Sequence, residues 1–157
     1  MVGRLAALQI RPATSSDLPA LRRLYGMVDR EHAEFEPSLK RGRSPTERDR
    51  RLLAALGEVT TRLTVVAQGV DVLAFALASF HRDRPDVVIE AIVVEPSARR
   101  RGHGRALIDD VQHWMVGRRG RFLELAVYDF NADALGFYES LGFISFSRSL
   151  RRSRPIG

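Results

Sequence analysis

The turn from Arg99 to Arg105 combines four arginines with two glycines, between an apolar stretch and an amphipathic one. Gly102 and Gly104 carry no Cβ, so the backbone can approach an anion closely at these positions. The first turn of a following helix leaves its N–H groups without intrahelical partners, and the helix dipole adds partial positive charge there. The turn therefore predicts a phosphate-binding loop at the N-terminus of a helix.

A second pattern, NADALGFYESLGF, occupies residues 131–143. Its apolar residues recur at helical spacing, Asn131 is a good N-cap, and Gly142 stands where a helix C-terminus favours a left-handed residue. The preceding residues 121–130 are typical of a strand. Both patterns thus share one arrangement, in which a strand leads through a turn into a helix.

Periodicity and turn signals predict the other elements. Thr14 and Asp17 form a possible capping box, and Ser44, Pro45 and Glu47 give three concordant helix-start signals. The predicted elements are a strand at 5–11, a helix with Leu18, Leu21, Tyr25 and Val28 on one face, a helix from Ser44, strands at about 61–67, 71–80 and 86–94, a helix at 102–117, a strand at 121–128, a helix at 132–141 and a last strand near 143–150. This order predicts an α+β fold with a mixed, mainly antiparallel sheet and about four helices.

The pair of patterns resembles the GNAT superfamily of N-acetyltransferases. Arg99-x-x-Gly102-x-Gly104 is similar to the acyl-CoA pyrophosphate loop of that family, and IRPATSSDLPAL at 10–21 is similar to its opening strand and helix. The family's C-terminal cofactor-binding helix is similar to the segment containing Asn131, Phe137, Tyr138, Leu141, Gly142 and Phe143. Two departures are visible, because Ala98 replaces a frequent aromatic and Arg100 a frequent glycine. The resemblance implies the GNAT acyltransferase fold as one domain over residues 1–157, with acetyl-CoA as acyl donor.

The resemblance also implies which residues hold the acyl donor. The strand before the turn would pair its backbone with the pantetheine arm, with the Val94 N–H as the oxyanion donor. Asn131 would contact the cofactor, although helix capping alone would explain it equally well. The implied cofactor-binding residues are Ile92, Val93, Val94, Arg99, Arg100, Arg101, Gly102, His103, Gly104, Arg105, Asn131 and Tyr138.

Two residues are candidates for catalysis. Tyr138 could protonate the departing CoA thiolate as a general acid, or it could simply be a core aromatic on an amphipathic helix. Glu90 interrupts the apolar stretch VVIEAIVV and could act as the base, since a buried unpaired carboxylate is costly. A salt bridge with one of the many arginines would explain Glu90 almost as well. Glu124 on the next predicted strand raises the same question.

The segment at 29–45, interpreted as the connection between the first two helices, would line the acceptor site by analogy with the family. It is acidic, so it could attract a cationic amine, although a solvated helix end would look the same. Glu31, His32 and Glu34, together with Glu90, are the predicted substrate-binding residues. Their spacing does not define a metal site, and no metal is expected.

Composition restricts the class of protein. The chain has 157 residues, 45% of them hydrophobic, no cysteine and a net charge of +6. Disulfides and thiolate chemistry are therefore excluded. Lys40 is the only lysine among 25 basic residues. The positive charge is therefore explained by a general bias toward arginine as well as by a surface that binds nucleic acid. Since the longest apolar run, Val72 to Ala78, is too short to span a bilayer and no signal-peptide region is apparent, a cytoplasmic protein without membrane or nucleic-acid partners is expected.

The sequence thus predicts an acetyl-CoA-dependent N-acetyltransferase that acts on a primary amine by direct attack in a ternary complex. No nucleophile suited to a covalent acyl-enzyme is apparent. The acceptor could be a small-molecule amine, a protein N-terminus or a lysine. A catalytically silent acyl-CoA-binding regulatory module on the same fold stays open as the alternative, and a homodimer is possible.

Overall fold

The computed structural model describes residues 6–41 and 44–154. These residues group in two compact units, of which the first ends at Ala126 and the second starts at Val127. Within the described ranges, the first unit holds five strands and three α-helices, and the second holds one α-helix. In the same ranges, no helix combines the length and the apolar character that crossing a membrane requires.

The elements follow each other closely along the chain. They are β1 (Leu8–Pro12), α1 (Leu18–Phe35), α2 (Pro45–Gly57), β2 (Thr61–Gln68), β3 (Asp71–His81), β4 (Asp86–Val94), α3 (His103–Gly117), β5 (Phe122–Leu125) and α4 (Ala132–Ser140), with short 3-10 turns at Ser15–Asp17, Pro37–Arg41 and Pro96–Ala98. The predicted α+β class and the number of α-helices are confirmed.

The five strands form one sheet in the order β1-β2-β3-β4-β5. Pairs from β1 to β4 are antiparallel, whereas β5 runs parallel to β4. The mixed, mainly antiparallel sheet predicted from the sequence is therefore confirmed. The β4–β5 pairing ends at Ile89 opposite Leu125, so β4 extends beyond its parallel neighbour.

Alternation along β3 sends side chains to both faces of the sheet. Phe75 and Leu77 are fully buried in a cluster with leucines of α1 and α2. Ala74, Ala76 and Ala78 alternate with them and are also fully buried, because α3 packs against β2, β3 and β4. Both faces of β3 are therefore covered, which explains its nearly continuous apolar sequence.

A half-buried ion pair attaches α3 to β2. Asp110 accepts hydrogen bonds from Arg62 Nε at 3.0 Å and Nη2 at 2.7 Å, and from the Thr64 hydroxyl at 2.7 Å. Burial alone would raise the pKa of Asp110, but the bonds from Arg62 and Thr64 outweigh burial and lower that pKa. The carboxylate is therefore the form that the fold stabilises.

Asp110→Asn is expected to lower the free energy of unfolding by about 1–2 kcal/mol at pH 7, because it leaves Arg62 without its charged partner. Because the pKa of Asp110 is lower in the folded than in the unfolded state, its carboxylate stabilises the fold above the unfolded-state pKa of about 3.9. This stabilisation is lost as the pH falls through the folded-state pKa. The difference between variant and wild type should therefore shrink below about pH 4. Urea unfolding from pH 3 to 7 measures it, with exposed Asp109→Asn as the control, and a pH-independent difference would contradict the assignment.

Two helix ends form as the sequence predicts. Ser44 caps α2, since its hydroxyl accepts from Glu47 N–H at 3.2 Å while Glu47 Oε2 accepts from Ser44 N–H at 3.0 Å. At the end of α4, Gly142 adopts φ 88°, and the Phe143 N–H reaches the Tyr138 carbonyl at 3.1 Å. This pattern is a Schellman motif, which only a residue tolerant of positive φ closes without strain.

Two expectations about element boundaries are wrong. The acidic residues Asp29, Glu31 and Glu34 lie in the last two turns of α1 instead of in a connection, because no glycine or proline follows Gly26 before Pro37. Residues 143–150 form no strand, and their side chains at Ile144, Phe146 and Leu150 are exposed. A strand needs a partner for its backbone, and this segment pairs with none of the strands in the described ranges.

Candidate active site

The predicted phosphate loop joins β4 to α3. Gly102 is the N-cap of α3 with φ 83°, and a Cβ at that position would meet nothing within 4 Å. The first helical hydrogen bond of α3 runs from Ala106 N–H to the Gly102 carbonyl at 3.0 Å. Within the described ranges, the N–H groups from Arg100 to Arg105 have no backbone acceptor. This arrangement fits a pyrophosphate, because it offers several free donors at the positive end of a helix.

Arg100 has an unusual backbone conformation in this loop. Its φ is 64°, in the left-handed region that L-residues with a Cβ rarely occupy. The sequence comparison with the GNAT pattern places a frequent glycine at this position, and the φ value gives the physical reason for that preference. The arginine is therefore retained against a local backbone cost.

Arg100→Gly is expected to raise the free energy of unfolding by about 0.5–1 kcal/mol. Relief of the left-handed strain contributes about 1–2 kcal/mol, and the added freedom of glycine in the unfolded chain removes about 0.5–1 kcal/mol. Arg101→Gly removes the same charge from a residue without positive φ and should destabilise the protein. Urea unfolding of both variants measures the difference; equal effects would show that strain at position 100 is negligible.

Arg99 is already engaged in the structure. Its Nε donates to the Val94 carbonyl at 3.1 Å, and its Nη2 donates to both carboxylate oxygens of Glu31 at 2.9 and 3.1 Å. The predicted phosphate contact of Arg99 would thus require it to leave or share Glu31. Arg101 and Arg105 are exposed, whereas His103 is buried with 8% of its surface accessible.

The far end of β4 has one free edge. Ile92, Val93 and Val94 pair with β3, but in the described ranges no strand pairs with β4 on its other side beyond Ile89. Main-chain groups along this edge can therefore pair with an extended ligand, as a strand would. The edge leads through a 3-10 turn into the phosphate loop, so the three predicted pantetheine-binding residues and the loop form one continuous surface.

Glu90 lies at a β-bulge in β4. Ile89 pairs with Ala78 and Ala91 pairs with Leu77, so Glu90 is the extra residue between them. Such an insertion changes the direction in which a strand side chain points. The carboxylate of Glu90 binds Arg51 of α2, which donates from Nε at 2.8 Å and from Nη2 at 2.6 Å. Glu90 is therefore an ion-pair partner, as one of the two sequence interpretations proposed.

Arg51 is the centre of this cluster. It also donates to Ser79 Oγ at 3.0 Å and to Glu58 at 3.1 Å, while the Ser79 hydroxyl contacts Glu90. The hydrogen bonds that Arg51 donates to Glu90 raise the pKa of Arg51 further above its ordinary value. An open groove of about 430 Å³ lies beside the cluster, lined by Glu47, Arg50, Arg51, Ala54, Glu58 and Glu90. An acceptor that enters this groove would meet three carboxylates and two guanidinium groups.

The predicted acceptor residues of α1 lie outside that groove. Glu31 binds Arg99, and Glu34 is exposed. His32 is half-buried, and burial lowers its pKa although neighbouring Glu31 opposes the shift. These residues and Glu90 therefore occupy separate places on the first unit. Sequence reasoning missed Arg51, because the sequence of α2 contains several arginines and only the packed helix shows which one reaches β4.

The second unit contains the other predicted cofactor residues. Asn131 caps α4, since its side-chain oxygen accepts from Ala134 N–H at 3.2 Å. Tyr138 is buried, with its ring 5.1 Å from that of Phe137 and 5.6 Å from that of Phe143. Burial raises the pKa of Tyr138 to about 12, so its hydroxyl keeps the proton at neutral pH. A protonated phenol is the form that a general acid requires.

Glu124, the other acid considered on a strand, lies 3.7 Å from Arg84 Nη2. The parallel register places it opposite Val88, in the paired part of β4. Glu124 is therefore separated from the free edge of β4, and its ion-pair partner is Arg84.

Comparisons with known proteins agree with this geometry. The model of the acetyltransferase (GNAT) family matches residues 24–143. No curated protein sequence gives a significant match. Similar solved structures include the BH1408 protein of Bacillus halodurans, in a mutant form, with a TM-score of 0.84 and 25% identity over 94% of this chain and 99% of that chain.

Two further structures share the fold at lower identity. The aminoglycoside N-acetyltransferase AAC(6')-Iy in complex with CoA has a TM-score of 0.76 and 22% identity, covering 99% of this chain and 100% of that chain. An acetyltransferase of Trypanosoma brucei has a TM-score of 0.69 and 23% identity, covering 94% and 100%. The chain belongs to the acetyltransferase (GNAT) family, which uses acetyl-CoA as the acyl donor. The fold and the cosubstrate implied by the resemblance are thereby confirmed.

Proposed function

We propose that the protein is a cytoplasmic N-acetyltransferase that moves the acetyl group of acetyl-CoA to a primary amine by direct attack in a ternary complex. The observation that supports this most is the free edge of β4, which runs from Ile92 to Val94 and leads directly into the phosphate loop. An extended thiol arm on the edge and a pyrophosphate in the loop would bring the reacting thioester close to Glu90.

The family match also supports a single catalytic domain. It runs from residue 24 to residue 143 and thus includes parts of both units. The donor-binding role is assigned to the backbone at 92–94 and at 99–105, together with Asn131 and Tyr138. Backbone donors suit this task, because they bind phosphate and amide groups without requiring a particular side chain.

Each reaction step needs one group of the protein. The amine nitrogen attacks the acetyl carbonyl carbon and forms the C–N bond, the Val94 N–H stabilises the resulting oxyanion, and collapse of this oxyanion restores the carbonyl and breaks the C–S bond. Glu90 takes the proton from the amine, directly or through a water, and Tyr138 gives one to the departing thiolate. Arg51 orients Glu90, because two of its N–H groups bind that carboxylate.

Glu90→Gln is expected to lower turnover about tenfold at pH 6 and to have little effect near pH 10. An amine with a pKa of about 10 is almost wholly protonated at neutral pH, so proton removal limits the rate mainly on the acidic side. Rate profiles from pH 6 to 10 measure this difference. Glu124→Gln, which removes an acid from the paired part of the sheet, serves as the control. A parallel loss at every pH would assign Glu90 to structure alone.

The acceptor is proposed to be a cationic primary amine, since carboxylates line the groove beside Glu90 and further acidic side chains lie on α1. A screen with acetyl-CoA and thiol detection tests this directly. The panel contains small polyamines, an aminoglycoside, peptides with a free N-terminus and peptides with an internal lysine. Turnover with the peptides alone would favour the protein-acetyltransferase alternative. Acetyl-CoA binding without turnover on any amine would favour the silent regulatory module.

A further inference from the structure

Two ion pairs of opposite polarity connect α1 to the segment between β4 and α3. Arg23 of α1 donates to both oxygens of Glu95 at 3.0 and 2.9 Å. Two helical turns later, Glu31 of α1 accepts from Arg99 at 2.9 and 3.1 Å. The first pair has its cation on the helix, and the second has its cation at the start of the phosphate loop.

The loop arginines are therefore not equivalent. Arg99 has a carboxylate partner, whereas Arg100 and Arg101 have no ion-pair partner in the described part of the chain. One guanidinium edge binds one anion in bidentate geometry at a time. A pyrophosphate that binds Arg99 through Nη2 competes with Glu31 for that group.

We propose that Glu31 competes with the pyrophosphate of acetyl-CoA for Arg99, so that the ion pair between these two side chains weakens donor binding. The inference rests on the proposed function, because it requires that the loop binds the donor. It assigns Glu31 a role in setting the affinity for the donor. Arg99 also binds the Val94 carbonyl, so the exchange takes place at the end of the free edge of β4.

The solvent exposure of the Arg99–Glu31 ion pair limits how much this pair can change the affinity for the donor. Side chains of Arg99 and Glu31 keep 43% and 37% of their surface accessible, so their attraction is partly screened. Pairs of this kind alter an equilibrium by at most about fivefold. Removing the carboxylate of Glu31 should therefore tighten donor binding by no more than this factor.

Glu31→Gln tests the competition by calorimetric titration of CoA, which needs no turnover. The variant should bind CoA about three- to fivefold more tightly than wild type. Glu95→Gln is the matched control, since it removes the same charge from the same connection but frees Arg23. Its CoA affinity should stay within about twofold of wild type. Equal tightening in both variants would show a general charge effect and would overturn the proposal.

Inorganic pyrophosphate is the second probe, because it carries only the group that Arg99 would exchange. The affinity for pyrophosphate should be higher in Glu31→Gln than in wild type. In a protein that already carries Arg99→Gln, adding Glu31→Gln should not increase this affinity. Unchanged or weaker CoA binding in Glu31→Gln would overturn the competition while leaving the proposed function intact. Absence of CoA binding in wild type would overturn both, so the two failures are distinguishable.

Discussion

Gly104→Glu is expected to lower acetyl-CoA affinity by more than about 100-fold and to abolish stabilisation by this ligand. The wild-type protein should gain about 2.7 kcal/mol of stability at 100 times the dissociation constant. A glutamate in the first turn of α3 would block the close approach of the pyrophosphate and repel its charge. The fold itself should tolerate the change, because an acidic residue is favourable near a helix N-terminus.

Thermal unfolding with and without millimolar acetyl-CoA measures this loss. Gly117→Glu is the matched control, since it places the same residue at the other end of α3, where a Cβ meets nothing within 4 Å. That variant should keep the wild-type increase in Tm. Equal ligand-induced shifts in Gly104→Glu and wild type would mean that the loop does not hold the pyrophosphate.

Tyr138→Phe is expected to lower kcat at least tenfold and by as much as about 100-fold. The substitution keeps the ring that packs on Phe137 and Phe143 and removes only the hydroxyl. A thiolate that leaves without a proton donor should slow the chemical step while the KM for acetyl-CoA changes little. A buried phenol with a pKa of about 12 stays protonated, so the loss should persist across neutral pH.

Initial-rate kinetics of two tyrosine variants separate catalysis from packing. Tyr128→Phe is the control, because Tyr128 belongs to the same unit, is 45% exposed and stacks on Phe130 at 5.0 Å. It should retain wild-type kcat. If Tyr138→Phe also retained wild-type kcat, Tyr138 would be a core aromatic, which is the alternative that the helical spacing left open.

Features determined by neighbouring residues could be predicted from the sequence. Ser44 and Glu47 cap α2 through bonds within three residues, and Gly142 ends α4 through its own φ. The glycine turn that begins α3 follows the same logic, because Gly102 and the first turn of α3 are adjacent. Apolar runs bounded by turn signals similarly predicted the central strands, and the order of the elements predicted the mixed sheet.

Features determined by tertiary contacts could not be predicted. Arg51 and Glu90 are 39 residues apart, and Glu31 and Arg99 are 68 apart, so no local pattern identifies these partners among 24 arginines. The boundary errors have related causes. Helix propensity carried α1 through the acidic residues, and alternation at 143–150 predicted a strand although strand formation depends on a partner.

The proposed reaction transfers the acetyl group of acetyl-CoA to the nitrogen of an amine. Thiol release alone does not separate transfer from hydrolysis, so the decisive measurement compares free CoA with N-acetylated acceptor by mass spectrometry in the same reaction. We expect equal amounts of both products with a cationic primary amine, and no CoA release without it. Thiol release that is independent of every amine, or acetyl groups found only on the enzyme itself, would contradict it.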